Sequence, residues 1–232
     1  MKKEIFLTVL FLYFLFFLNT AKAQRFKAGL SAGLTATDVA GADTRDGDND
    51  FHKLGFTVGG IVNTRLNEKN VFQFEINYIQ KGSMQPPDSL NNGYFKLAID
   101  YMEVPMLLKH RIHFNIRKKP INGFDLEGGM SIGRMIRYTM VNETNYLQTV
   151  DLSKINKTDV SIFAGIDYNF SSNFYFCLRY GNSVIPTIKR NSVPLFLYRY
   201  TFNQGNNMVF QFAFKLIFGS TENKEQADQA VE

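Results

Sequence analysis

The sequence predicts an all-β protein, an eight-stranded antiparallel up-and-down transmembrane β-barrel with short periplasmic turns and long extracellular loops. Apolar and polar residues alternate with period two in eight segments, each long enough for the ~9–11 residues of a tilted membrane strand. The connections between these segments alternate between long and short. The polar positions carry charges of both signs, which a narrow barrel can hold as pairs in its interior.

The first four predicted strands each have one apolar and one polar face. In 26–37, apolar residues alternate with Lys, Gly, Ser and Thr, and in 54–65 they alternate with Gly, Thr, Asn and Arg. In 71–81, Phe, Ile and Tyr alternate with Gln, Glu, Asn and Lys. In 98–114, Met, Val, Leu and Ile alternate with Tyr, Glu, Lys, Arg and His. This period favours strands over helices.

The last four predicted strands repeat the pattern. In 124–137, apolar residues oppose Asp, Glu and Ser, and Arg137 falls on the polar face. In 158–170 they oppose Asp, Ser and Asn. In 174–181 they oppose Tyr, Cys, Arg and Gly, and in 208–218 they oppose Gln, Ala and Lys. An even strand number would leave both mature termini in the periplasm.

The connections favour a membrane barrel over a soluble one. Four are long (38–53, 82–97, 138–157 and 182–207) and three are short (66–70, 115–123 and 171–173). Outer-membrane barrels have this asymmetry. The polar exceptions on the apolar face, Gln80, Arg134 and His110, fall near strand ends, where lipid contact costs a polar group least. A soluble periplasmic barrel with an apolar interior is the alternative.

Residues 1–23 are organised as a secretory signal peptide. Lysines at 2–3 precede an apolar run over 5–18, and 21–23 offer small residues at the spacing that signal peptidase reads. The apolar run is short for a spanning helix of about 20 residues. We therefore expect cleavage before Gln24 and export to the bacterial outer membrane.

The mature chain is expected to hold one barrel domain, 24–218, and a short disordered periplasmic tail, 219–232. The segment 193–203 resembles a further strand, so a ten-stranded barrel is the alternative. We interpret it as a hairpin above the membrane within the last long connection. Its aromatic residues form a candidate extracellular contact segment: Phe196, Tyr198, Tyr200 and Phe202.

The composition argues against several classes of protein. The 232 residues include a single Cys, which excludes a disulfide scaffold and a cysteine-rich zinc module. The net charge of +5 comes without a dense basic block, so we expect no nucleic-acid partner. The 23 Phe and 11 Tyr could form aromatic girdles at the membrane interfaces, without any Trp.

A charge network is predicted on the polar face of the strands. We expect it to fix register and fill the lumen. Pro105 lies on the same face and predicts a bulge or local break, because proline lacks a ladder donor. The predicted network residues are Glu75, Lys81, Glu103, Lys109, Arg111, Glu127 and Arg179.

No catalytic or metal site is predicted, and no cofactor. The series Asp46, Asp48, Asp50 opens like a calcium loop, but the required Gly and Glu do not follow. His52 with a loop Asp or Ser would be the only candidate for hydrolysis, and it lacks a nucleophile motif. Cys177 falls on the lumen face, where we expect a small packed thiol.

Two strand motifs, together with the signal peptide and the opening strand FKAGLSAGLT, resemble the PorT-like family of outer-membrane β-barrel proteins. The motifs are FQFEINYIQKGS and IDYMEVPMLLKHRI. The resemblance covers about 24–218 and implies an eight-stranded outer-membrane barrel. It also raises the expectation that the protein is an accessory of secretion or envelope assembly. The matching positions are Glu75, Tyr78, Lys81 and Gly82, then Tyr101, Glu103, Pro105, Leu107 and Lys109, with Met102 where the family more often has Leu.

We therefore expect a structural or interaction protein of the cell envelope with a filled lumen, and no enzyme. The expected partners are outer-membrane lipid and glycolipid, and an envelope or secretion protein contacted through extracellular loops. The alternative function is a narrow pore or transport accessory that uses the charged lumen. A general diffusion porin is disfavoured, because wide water channels need about 16–18 strands.

Overall fold

The computed structural model describes residues 26–39, 51–87, 94–116, 119–142, 155–171, 173–187 and 205–218. Within these residues, eight antiparallel strands form a closed barrel in which each strand pairs with its chain neighbours and β8 pairs with β1. This confirms the predicted fold class. The strands are β1 Phe26–Val39, β2 Lys53–Arg65, β3 Asn70–Gln85, β4 Phe95–Ile116, β5 Lys119–Asn142, β6 Thr158–Asn169, β7 Phe174–Ser183 and β8 Asn207–Ile217.

The barrel surface is apolar and its interior is charged. Leu30, Met130 and Phe214 are each more than half exposed on the outside, whereas Glu75 is 1% exposed inside. Phe72 and Phe212 also lie on the exposed face. This arrangement is the reverse of a soluble barrel and suits a lipid surround. In the described part of the chain, no helix is both long and apolar enough to cross a membrane.

The strand bounds differ from the predicted ones chiefly in β4 and β5, which have 22 and 24 residues. Their ladder continues to Ile116 and Lys119, so the connection predicted over 115–123 is much shorter. At the other end they continue to Phe95 and Asn142, into segments predicted as long connections. Hydrogen bonding between β4 and β5 therefore makes both strands longer than the segments in which polar and apolar residues alternate.

A bulge near the outer end of β5 re-aims one arginine. The ladder pairs Tyr101 with Met135 but Asp100 with Arg137, so Ile136 is an extra residue. Alternation alone placed Arg137 on the polar, inward face, and that prediction is wrong. The inserted residue turns the following side chain to the outside, as bulges do. Arg137 is 68% exposed and forms an ion pair with Asp100 there.

The strand proline has a smaller effect than a bulge. The β3–β4 pairing stops between Phe74↔Met106 and Asn77↔Glu103, which is where Pro105 stands. The register is the same on both sides of this gap, so the proline interrupts the ladder without shifting it. The missing N–H of proline accounts for the break.

An apolar cluster fills the interior at the end with the long connections. The sequence pattern assigned the interior to polar residues and placed Tyr101 on that inward face, but it named neither Ile99 nor Leu97, which precedes the predicted strand 98–114. The inward-facing Leu97, Ile99 and Tyr101 of β4 are fully buried. These side chains pack against apolar residues of other strands and so bury one another. The cluster comprises Val39, Ile79, Leu97, Ile99, Tyr101, Ile155 and Val209, with Met135 and Met140 packed against it.

Candidate functional site in the barrel interior

A six-residue ion-pair layer crosses the middle of the interior. Arg179 stands between two carboxylates: its Nη2 lies 3.0 Å from Glu75 Oε1 and its Nε lies 2.6 Å from Glu127 Oε1. Its guanidinium also lies over the ring of Phe163, 4.4 Å from the ring centroid. Gln73 Nε2 donates to Glu75 as well. These contacts join strands β3, β5 and β7 across the bore.

The layer continues on the opposite side of the interior. Lys215 Nζ lies 2.9 Å from Glu127 Oε2 and 3.0 Å from Asp167 Oδ1. Lys109 also forms an ion pair with Asp167. Asp167 and Lys215 were not in the predicted network, although both occupy polar positions of their strands. Only strand pairing brings β4, β5, β6 and β8 into one ring, so sequence spacing gave no signal for this contact.

A second group lies nearer the long connections. Lys81 Nζ lies 2.7 Å from Asp159 Oδ2 and forms an ion pair with Glu103. Asp159 accepts further hydrogen bonds from Ser183 Oγ at 2.5 Å and Ser161 Oγ at 3.1 Å. Asp159 was likewise missing from the predicted network. We call Lys81, Glu103 and Asp159 the outer triad, and the group around Arg179 the central layer.

The two groups differ in charge balance. In the central layer, three carboxylates (Glu75, Glu127, Asp167) meet three cations (Lys109, Arg179, Lys215). In the outer triad, two carboxylates share the one ammonium of Lys81. With every acid and base counted in its charged form, these nine side chains sum to one excess negative charge, which belongs to the outer triad. Lys81 forms ion pairs with both of its neighbours.

A small cavity of about 30 Å³ separates the central layer from the outer triad. Its lining includes Asn77, Lys81, Glu103, Arg179 and Gln211. One water fills roughly 10–15 Å³ measured in this way, so about two waters fit. Asn77 Oδ1 is buried and accepts no hydrogen bond from any described residue, which makes it a suitable partner for such a water. The space is far too small for a solute larger than a few atoms.

Arg111 stands apart from the other predicted network residues. Its side chain is 42% exposed, and its Nε lies 3.0 Å from Asp125 Oδ1 near the short-turn end. The other six residues of the predicted set are all buried. We therefore treat the Arg111–Asp125 pair as the rim of the interior.

Three potential metal ligands meet at the central layer, to which two of them belong. One ligand atom from each of Glu127, Asp167 and Cys177 lies within 4.8 Å of the others. The ammonium of Lys215 already contacts both carboxylates, so a built-in cation compensates their charge. Cys177 is fully buried and its Sγ lies 3.4 Å from Glu127 Oε1. The arrangement therefore fits a packed thiol better than a metal ligand.

The polar exceptions on the apolar face lie at the barrel ends. Gln80 Nε2 donates to Asp100 Oδ1 at 3.3 Å, and Arg134 Nη1 donates to Thr158 Oγ1 at 3.0 Å. At the opposite end, His110 Nδ1 lies 2.8 Å from Asn70 Oδ1. Each polar group thus has a polar neighbour on the outside of the barrel.

Several predicted features fall outside the described residues. They are the contact segment Phe196, Tyr198, Tyr200 and Phe202, the whole of 193–203 and the acidic series 46–50. The signal peptide and the tail 219–232 lie outside them as well. His52 is described and exposed.

The chain matches a known protein family. A family model described as the outer membrane protein beta-barrel domain matches residues 19–189. No curated protein sequence matches the chain.

Several solved structures are similar to the chain. One is the attachment invasion locus protein Ail of Yersinia pestis, solved in complex with the heparin analogue sucrose octasulfate. Its sequence is 12% identical to this chain, the TM-score is 0.43, and the match covers 84% of this chain and 99% of Ail. Neisserial surface protein A has 11% identity and a TM-score of 0.40, covering 82% and 96%. OprG from Pseudomonas aeruginosa has 12% identity and a TM-score of 0.38, covering 84% and 97%. Since the family match spans well over half of its length, the chain belongs to the outer membrane protein β-barrel domain family, which places it in the bacterial outer membrane.

Proposed function

We propose that this protein is a non-conducting structural or interaction protein of the cell envelope. One observation carries the proposal, namely that side chains fill the interior at three successive levels. These levels are the central layer around Arg179, the outer triad around Lys81 and the apolar cluster around Tyr101. Conduction needs a continuous water path, and the cavity between the charged levels has room for about two waters.

The charges of the interior support a structural role more than a transport role. In the central layer every cation contacts a carboxylate, and each ion pair joins different strands. Such pairs fix the register of strands whose lipid-facing side chains are interchangeable. A transported ion would have to break at least one of these buried contacts, which costs several kcal/mol in the absence of a replacement partner.

Planar-bilayer conductance of the purified full chain tests this proposal. We expect no discrete openings, with a general porin in the same bilayer as the positive control. Discrete openings that disappear in Glu103→Gln would contradict the proposal and support a narrow pore. Arg111→Gln serves as a comparison at the rim, because Arg111 is half exposed.

We also infer the organisation of the remaining chain. Residues 1–23 act as a cleaved signal peptide, 24–218 form the barrel, and 219–232 form a periplasmic tail, so both mature termini face the periplasm. Mass spectrometry of the protein from outer membranes tests this, since the proposal requires a mature chain that begins at Gln24. A mass that retains 1–23 would contradict it.

A PorT-like role in secretion or envelope assembly is the finer proposal. It is supported by the strand motifs around Glu75 and Glu103, and it assigns partner contact to Phe196, Tyr198, Tyr200 and Phe202. Crosslinking in intact cells should capture an envelope partner with the full chain and lose it on deletion of 194–202. Retention of that partner after the deletion would contradict the assignment.

A further inference from the structure

Two arginines lie side by side on the outside of β5 near its outer end. Arg134 faces outward by strand alternation, and the bulge at Ile136 turns Arg137 to the same face. Their partners on β4 are Met102 and Asp100, two residues apart on one strand face. The two arginine Cα atoms are thus separated by about 7 Å along the sheet. Without the bulge, only one guanidinium would be on this face.

Both guanidinium groups are held by neighbouring side chains. Arg137 Nη2 lies 2.6 Å from Asp100 Oδ2, and Gln80 steadies the same carboxylate. Arg134 Nη1 donates to Thr158 Oγ1 at 3.0 Å. A guanidinium has five N–H donors, so each retains donors beyond these contacts. The pair is therefore oriented before any ligand arrives.

The position of the pair corresponds to one boundary of the apolar band. From Phe124 to Arg134, β5 rises by about 25 Å, given the rise and tilt of membrane strands, which matches the height of the lipid-facing band. Phe124 packs against Tyr168 at the short-turn end, 4.8 Å between ring centroids. Between the two ends, Met130 and Ile132 are exposed and apolar. Arg134 and Arg137 therefore lie at headgroup depth on the side of the long connections.

The charge at this boundary is positive. Lys96 lies on the same outer face of β4, beyond Asp100. Among the described residues, Asp100 is the carboxylate that pairs with this group, and it does so through Arg137. An anion at headgroup depth is the complementary partner, and arginine binds phosphate through parallel hydrogen bonds.

We propose that Arg134 and Arg137 bind a phosphate group of a glycolipid in the outer leaflet. The inference rests on the proposed orientation, in which the long connections are extracellular. The glycolipid is preferred to a periplasmic-leaflet phospholipid because the pair lies at the opposite end from the short turns. The ester or sugar phosphate accepts from the guanidinium N–H groups while the acyl chains contact the apolar face below.

The experiment titrates the full chain in detergent micelles with phosphorylated lipid A and measures the apparent Kd by native mass spectrometry. The double variant Arg134→Gln/Arg137→Gln should bind about 25-fold more weakly, about fivefold for each arginine. Arg65→Gln is the matched control, because Arg65 is an exposed arginine at the short-turn end. It should bind like the wild type.

Comparisons among ligands decide the source of the phosphate. Wild-type protein should bind dephosphorylated lipid A and phosphatidylglycerol more weakly than phosphorylated lipid A, and inorganic phosphate should not displace the lipid. Equal binding of any of these lipids, displacement by inorganic phosphate, or equal loss in Arg65→Gln would overturn the proposal. The wild-type comparison remains decisive if the double variant fails to fold. Conductance tests the sealed interior separately, so the two proposals can fail independently.

Discussion

Replacement of Lys81 by Met should destabilise the barrel by about 3–5 kcal/mol, the usual loss when one partner of a buried pair is removed. Lys81 is the sole cation of the outer triad, and its side chain is 3% exposed. The substitution keeps the apolar stem and removes the ammonium. Glu103 and Asp159 would then face each other as buried carboxylates without a cation.

The magnitude follows from two opposing contributions. Lys81 Nζ lies 2.7 Å from Asp159 Oδ2 and also contacts Glu103. At an effective dielectric constant near 20, each contact contributes about 4 kcal/mol of attraction. Methionine avoids the cost of burying an ammonium, which is several kcal/mol and offsets part of that loss. The difference between the lost attraction and the avoided cost is again about 3–5 kcal/mol.

The charge excess of the triad supplies a contrasting variant. Glu103→Gln removes the surplus negative charge and leaves Lys81 paired with Asp159. We therefore expect its unfolding free energy to lie within about 1 kcal/mol of the wild type. Combining Lys81→Met with Glu103→Gln and Asp159→Asn should recover a substantial part of the stability that Lys81→Met loses.

Urea unfolding of the full chain in lipid vesicles, followed by heat-modifiable gel mobility, measures these differences. Lys69→Met is the control, because Lys69 is an exposed lysine in the β2–β3 turn. The reasoning is refuted if Lys81→Met unfolds at the wild-type urea concentration. It is also refuted if Glu103→Gln is as damaging as Lys81→Met, since the triad would then carry no excess charge.

Three further predictions concern packing and the lipid face. Gly33→Val should prevent formation of the heat-modifiable form, because a Cβ at Gly33 would lie 2.1 Å from Phe212 O at the β1–β8 closure. Gly60→Ala should fold normally, because a Cβ at Gly60 would have nothing within 4 Å. Equal behaviour of the two variants would contradict the closure. Met130→Arg places a charge on the exposed lipid face near mid-strand and should lower the free energy of unfolding in vesicles by about 2–4 kcal/mol. Phe26→Arg at the barrel end should lower it by about 0–1 kcal/mol. Equal losses would argue against a position of Met130 near the bilayer midplane. Cys177 should resist maleimide in the folded barrel and react after unfolding, since its side chain is fully buried; rapid labelling of folded protein would show an open interior.

Much of the interior could be predicted from local pattern. Glu75, Glu103 and Glu127 occupy polar positions in strands whose other faces are apolar, so their inward orientation follows from period two. Their partners could not be named in this way. Asp159 and Lys215 lie far from Lys81 and Glu127 in the chain, and alternation states only which face a residue occupies.

The sequence by itself determined the location of eight strands, the membrane-facing surface and the polarity of most of the interior, because backbone alternation and connection length are local properties. Barrel closure decided which charges meet, since pairing of β8 with β1 brings distant strands around one axis. Tertiary structure also decided two departures from the predicted pattern. The bulge at Ile136 turns Arg137 outward, and residues of β1, β3, β4 and β8 form an apolar cluster within a charged interior. Both depend on pairing between strands, which no single segment of sequence specifies.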